Sequence, residues 1–265
     1  MGVPFDHIAS TYDSVFTRSA IGQLQRKQVW RYVEKIMPQL NGFDMLELNC
    51  GTGEDAMLFS ERGFNIVATD ISEEMLKVTQ QKARQFSMQH RISSHYLDLD
   101  SFSEMTFDKK FDLIFSNFGG LNCIHPESLK KLLDSIPSIL KPGGRFIGVI
   151  MPRFCAWETF YFLSKFQFKN AFRRWTRSEV ITNLHGVTLK TWYYNPATVK
   201  RMVSSQFKIM AIKPIGIALP PSYLETFFLK RKRWLLRLHT LEKRMDNISL
   251  FSGISDHFVF DLKLK

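Results

Sequence analysis

The chain is predicted to be an α/β protein built on a mostly parallel sheet with helices on both faces. Three observations predict it. Over the first 150 residues, apolar strand-like runs alternate with helical segments, which argues for parallel strands joined by right-handed crossovers. The run Arg145–Met151 is almost wholly apolar, as a strand covered on both faces should be. Residues Met45–Gly53 read Met-Leu-Glu-Leu-Asn-Cys-Gly-Thr-Gly, a strand followed by a glycine-bearing turn, and a second apolar strand ends at Asp70.

The elements follow in order. Ala20–Met37 reads as a helix, with Leu24, Val29, Val33 and Ile36 near a 3.6-residue period. Asp44–Leu48 is a short strand, Glu54–Arg62 a helix stopped by Gly63, and Phe64–Asp70 the second strand. Ser72 is a plausible N-cap, with Glu73 and Glu74 in the first turn of the next helix. Ile92–Leu97 and Phe111–Ser116 are the third and fourth strands. Pro126–Leu140 is a helix ended by Lys-Pro-Gly-Gly, and Arg145–Met151 is the fifth strand. Beyond Met151 the pattern changes. Residues 154–175 hold nine aromatics. Trp192–Tyr194 reads as a short strand, Pro196–Val203 as a helix and Phe207–Ile212 as another strand. Leu224 to Ile248 has apolar residues at helical spacings, and His257–Leu264 alternates like an antiparallel edge strand.

Composition narrows the classes. The 265 residues are 45% apolar, enough for one large domain with a substantial core. No apolar run approaches a membrane span, and no signal peptide is visible. Cys50, Cys123 and Cys155 form neither a disulfide framework nor a metal-ligand spacing, so a reduced, cytoplasmic protein is expected. The net charge of +11 is concentrated. Residues 151–195 and 221–250 each carry seven Lys or Arg, against two and three acids, which suggests a partner for those segments.

The turn after the first strand suits an adenosine-bearing ligand. Glycines let the backbone approach closely, and Asp70 sits where ribose hydroxyls would lie. It is a poor nicotinamide fingerprint, because Asn49 and Glu54, or Ala56, stand where glycines are needed. Glu47, just before the turn, opposes a pyrophosphate and favours a ligand with a charged amine. Adenosine with an α-amino group and no diphosphate describes S-adenosylmethionine.

These motifs resemble the class I S-adenosylmethionine-dependent methyltransferases, and the likeness is to the small-molecule, quinone and natural-product branch. It covers about residues 5–150 and the order of the last elements. It implies a Rossmann-like, seven-stranded, mostly parallel sheet whose last strand is antiparallel, with helical insertions after strand five and before the last strand. By that resemblance, Phe5-Asp6-x-x-Ala9-x-x-Tyr12-Asp13 is similar to an N-terminal helix whose Tyr12 lies over the cofactor. Glu47, Asn49, Gly51 and Gly53 belong to the first motif. Asp70 and Ile71 would meet ribose and adenine, and Asp98 and Leu99 the adenine amino group. Ser116 and Asn117 would bind the methionine moiety, and Phe118 begins the substrate wall. Asn49 departs from the family, which has glycine there; asparagine tolerates positive φ better than most residues.

The chemistry beyond the cofactor is harder to assign. His125, after strand four, is the candidate general base, set against the plainer reading of a residue at a helix cap. Glu158, His185, His239 and His257 are weaker candidates. No carboxylate cluster suggests a metal, and none is expected. We expect a single domain, 1–265, with an N-terminal helical cap over 1–40. Insertions at 152–195 and 221–250 would form a lid over an apolar or aromatic acceptor, in one variant anionic. Trp157, Tyr161, Trp192 and Tyr193 would join Phe118 in contacting it. The acceptor atom is O, N or C. Lys230–Arg237 is a solvated face or a contact for an anionic membrane surface. Two rival readings remain: RNA methylation through the basic segments, though no Asn-Pro-Pro-Tyr-like tetrapeptide follows strand four, and a non-catalytic binding module of the same fold.

Overall fold

The computed structural model describes residues 4–104, 107–184 and 186–265. Its centre is a seven-stranded sheet. Strands β1 (Asp44–Leu48), β2 (Asn65–Asp70), β3 (Ile92–Tyr96), β4 (Phe111–Ser116) and β5 (Leu140–Ile150) are parallel. With β8 (Phe207–Ile215) and β9 (His257–Leu264) the order is β3-β2-β1-β4-β5-β9-β8. Between β5 and β8, a hairpin of β6 (Val180–Leu184) and β7 (Val187–Thr191) forms a separate two-stranded sheet.

The helices are α1 (Ala9–Tyr12), α2 (Ala20–Ile36), α3 (Glu54–Glu61), α4 (Glu73–Gln85), α5 (Pro126–Ile139), α6 (Ala156–Ser164), α7 (Phe168–Ala171), α8 (Pro196–Met202), α9 (Glu225–Leu229) and α10 (Lys232–Met245). Local chemistry starts several of them. Ser19 caps α2 by accepting from the Gly22 amide, and Ser72 caps α4 by accepting from Met75. Helix α4 then carries Glu73 and Glu74 at its start and Lys82 and Arg84 at its end, both favourable to its dipole. One apolar cluster packs Val29, Val33, Phe59 and Phe64 on one face of the sheet residues Met45, Leu113 and Phe115. The other joins Leu129, Leu132, Leu133 and Ile136 of α5 to Leu46, Ile114 and Phe146.

Four expectations are corrected. The last strand is antiparallel but not an edge: β9 lies between β5 and β8, and β8 takes the edge. Phe258 to Leu262 are all buried. The apparent alternation came from Asp261, whose charge is not solvated but paired with Arg145 on β5. Trp192–Tyr194 is not a strand; the strand is Val187–Thr191, paired with β6, and Gly186 just before it has φ +89°. A glycine between the runs Val180-Ile-Thr182 and Val187-Thr188 is a hairpin signal that was present in the sequence. Strand β5 begins at Leu140, because the Lys-Pro-Gly-Gly run is already extended. The helical spacing from Leu224 to Ile248 breaks into α9 and α10 at Lys230–Arg231.

The Arg145–Asp261 pair is buried in the sheet. Arg145 Nε donates to Asp261 Oδ1 at 2.9 Å, its Nη2 pairs with Oδ2, and the Tyr32 hydroxyl of α2 donates to the same oxygen. Losing one partner leaves a buried charge without compensation. Asp261→Ala is expected to cost about 3–5 kcal/mol in urea unfolding, and Arg145→Met/Asp261→Leu to recover most of it.

Candidate functional site

The carboxyl ends of β1, β2 and β4 meet at the turn that follows β1. Asn49, Gly51 and Gly53 have φ of +49°, +55° and +74°. A side chain at Gly53 would lie 2.6 Å from Thr79, whereas the space beyond Gly51 is empty within 4 Å, so backbone is exposed there to a ligand. Asp70, at the end of β2, accepts from the Gly51 amide at 2.8 Å and the Ser72 amide at 2.9 Å, tying the two motif loops together. Burial raises its pKa, against the lowering effect of those amides.

Tyr12, Arg26, Asn49, Gly51, Asp55 and Phe118 are among the residues lining the cleft above this turn. Its floor is acidic. Glu47, near the end of β1 beneath the lining residues, is buried, and among the described residues its Oε2 has no hydrogen-bond partner. Burial, then the neighbouring Asp55, pushes its carboxyl well above the ordinary value. Asp55, also buried, accepts from Arg26, from the Trp30 indole and from Asn117 Nδ2 at 3.1 Å. A desolvated acidic cleft with an orphaned carboxylate oxygen fits a ligand bearing a sulfonium and an ammonium.

The N-terminal segment closes over both loops. Asp13 accepts from Thr52 Oγ1 at 2.6 Å and pairs with Lys82 of α4, and Asp6 accepts from Ser72 Oγ at 2.6 Å. Asn49 resolves its departure from the family pattern by using its side chain. Nδ2 donates to the Asn117 carbonyl at 2.9 Å, and Oδ1 accepts from Ser116 at 2.6 Å. The amide sits against Gly120, where a Cβ would come within 2.1 Å of it. The extra side chain therefore cross-links β1 to β4, and the space beyond Gly51 stays open.

Among the remaining sequence candidates, Ile71 follows Asp70 and is half-buried, while Leu99 is buried in the core. Asp98 Oδ1 accepts from the Asp100 amide, just past Leu97, whose amide donates to the Asp70 carbonyl. His125 caps α5: its Nδ1 accepts from Glu127, and its ring meets Trp192 edge-on, which occupies it structurally and sets it apart from the cleft-lining residues. Trp192 and Tyr193 are buried, Trp192 in the core and Tyr193 beneath the Arg174 guanidinium. Trp157 packs on Phe228 and Tyr161 on Tyr223, within the insertions. His239 is half-buried on α10 and His185 lies outside the described residues.

No local pattern marks Arg26, Asp55 or Asp256 as site residues, because their partners are distant along the chain. His257, a weak candidate before, meets the Phe118 ring edge-on at 5.0 Å. Its Nδ1 lies 3.3 Å from Asp256 Oδ2, and Arg174 bridges Asp256 to buried Glu158. Burial would raise Asp256, but His257 and Arg174 hold it well below the ordinary carboxylate range. A second cavity, of about 800 Å³, opens after β5. Arg153, Arg177 and Lys200 line it with Phe154, Trp175 and Leu250, and no carboxylate does.

Residues 45–144 match the family model described as "Methyltransferase domain". A demethylmenaquinone methyltransferase of Clavibacter sepedonicus is 31% identical over 145 residues, 54% of this chain and 54% of that one. The chain spans about half the length of the curated relatives it matches. The CcbJ methyltransferase from Streptomyces caelestis superposes with TM-score 0.65 at 13% identity, covering 99% of this chain and 98% of that one. An S-adenosylmethionine-dependent methyltransferase from Clostridium acetobutylicum does so with TM-score 0.59 at 18% identity, covering 98% of each. At those identities the structures speak for the fold alone. The matched segment contains the Glu47–Gly53 turn, Asp70 and Asp98, and the fold is the one that these S-adenosylmethionine-dependent methyltransferases share.

Proposed function

We propose that the chain transfers the methyl group of S-adenosylmethionine to a small apolar or aromatic acceptor carrying an anionic group. The observation that best supports the cofactor half is the acidic cleft: Glu47 Oε2 is buried without a partner below a turn whose Gly51 faces open space. Asp70 would hold the ribose hydroxyls, its orientation already set by two amides. Glu47 and Asp55 would balance the positive charges, and Tyr12 would cover the cleft. When bound, S-adenosylmethionine would supply an electrophilic methyl carbon to the acceptor atom and depart as S-adenosylhomocysteine.

The chain's own contribution is then positioning and exclusion of water. Phe118 stands between the cleft and His257, at the acceptor end. His257, with Asp256 behind its Nδ1, is the group we assign to take a proton from an O–H or N–H acceptor. We place the acceptor's anionic group at the cavity lined by Arg153, Arg177 and Lys200, which shares no lining residue with the cleft but gathers three cations with no carboxylate to neutralise them. The name of the Clavibacter relative also favours a small-molecule acceptor.

Three measurements test this. Asp70→Ala is expected to weaken S-adenosylhomocysteine binding in calorimetry by about 10- to 100-fold, the worth of charge-assisted hydrogen bonds to two hydroxyls; equal affinity in the two proteins removes the assigned site. Since burial raises Glu47, the ionised form that favours a cationic ligand develops only as pH rises through that raised value. S-adenosylmethionine affinity should therefore climb with pH above the ordinary carboxylate range, with proton release on binding, and Glu47→Gln should flatten the profile. His257→Gln should lower methyl transfer to an O–H or N–H acceptor by about 100-fold or more, leaving S-adenosylhomocysteine affinity unchanged; an unaffected rate rejects His257 as proton acceptor.

A further inference from the structure

The two insertions together present a surface that is both apolar and cationic. Phe160, Phe166, Phe168, Phe227, Trp234 and Leu236 are 68%, 81%, 59%, 53%, 60% and 63% exposed. They come from neighbouring elements. Trp157 of α6 packs edge-on against Phe228 of α9 at 6.1 Å, and Tyr223 lies against both Tyr161 and Phe162. Phe166 is also strained: it follows α6 with φ +57°, a left-handed conformation that costs a bulky residue roughly 1 kcal/mol or more. No core contact compensates a side chain this exposed.

The charges are sorted in the same sense. Each carboxylate in residues 154–175 and 222–242 is engaged internally. Glu158 binds Arg173 and Arg174. Glu225 accepts from the amides of Ala20 and Ile21, and Glu242 from those of Gly216, Ile217, Ala218 and Leu219. What remains outward is cationic: Lys165, Lys169, Lys230, Arg231, Arg233 and Arg237 are all exposed. In α10 the buried residues Leu235 and Glu242 lie on one side, while Trp234 and Leu241, seven residues apart, share the exposed side.

We propose that this joined face of α6, α7, α9 and α10 docks on the surface of an anionic lipid bilayer. Cations alone would suit a polyanion such as RNA, but phosphate contacts give no use for Phe160, Phe166 and Trp234. An interfacial helix pair uses both: headgroups attract Lys and Arg while aromatic and aliphatic side chains enter the acyl boundary. No helix among the described residues is long and apolar enough to cross a membrane, so the contact is with the surface. The inference stands apart from the methyltransferase reading and does not need bound cofactor.

The test is co-sedimentation of the full chain with vesicles of phosphatidylcholine alone or mixed with phosphatidylglycerol. Binding is expected to the mixed vesicles and to weaken, without vanishing, as salt rises. Lys230→Gln/Arg231→Gln/Arg233→Gln should reduce it by about fivefold per residue removed, and Phe166→Ser/Trp234→Ser by at least about tenfold. Unchanged S-adenosylhomocysteine affinity in each variant shows that the fold is kept and separates this test from that of the cofactor site. Four results overturn the proposal: no sedimentation with either vesicle, equal binding by wild type and variants, a salt-sensitive RNA shift in place of vesicle binding, or self-association that buries the face.

Discussion

A cluster of buried carboxyl groups organises this molecule. Glu47, Asp55 and Asp70 converge at the carboxyl edge of the sheet, and among the described residues lining the cleft Arg26 is the cation that faces them. In a desolvated setting like charges raise one another's pKa, and burial raises Glu47 and Asp70 further. The fold tolerates this only by spending donors on the floor: two amides on Asp70, then Arg26, the Trp30 indole and the Asn117 amide on Asp55. Glu47 is left without such help on one oxygen, and a site of this kind is ready for a cation.

The rest of the architecture serves that edge. The parallel register of β1, β2 and β4 brings Leu48 beside Ser116 and aligns Asp70 with Tyr96, so all loops that carry function emerge on one side. The N-terminal segment is fastened there at two points, Asp6 to Ser72 and Asp13 to Thr52, one on each motif loop. Beyond β5, the chain leaves the sheet and builds α6, α7 and the hairpin before returning. Buried Glu158, Arg174 and Asp256, with half-buried His257, tie that excursion back to Phe118 at the cleft. The insertions thus reach the cleft through a run of ion pairs that ends in the contact of His257 with Phe118.

Asn49 shows how a motif residue can change without the turn failing. Its backbone keeps the left-handed conformation that glycine would supply, and its amide adds two hydrogen bonds between β1 and β4. Gly120, lacking a Cβ, makes the room. Substitution at one strand end is accommodated by a small residue on another, a pairing that only the fold brings together.

By itself the sequence determined the alternating strands and helices through β5, the positions of Gly51, Gly53 and Asp70 near strand ends, and helix starts at Ala20 and Ser72. Those features rest on local rules of periodicity, capping and glycine conformation, which need no knowledge of distant residues. Tertiary structure alone decided that Asp261 is buried, so that β9 lies inside the sheet rather than at its edge. It also decided that Arg26 pairs with Asp55, that His125 is a cap while His257 reaches Phe118, and that the aromatics of 154–175 divide between packing and an exposed cationic face. Each of those depends on partners far apart in the chain, where a charge or an aromatic ring has the same local signature whether it is solvated, paired in the core or held against a site.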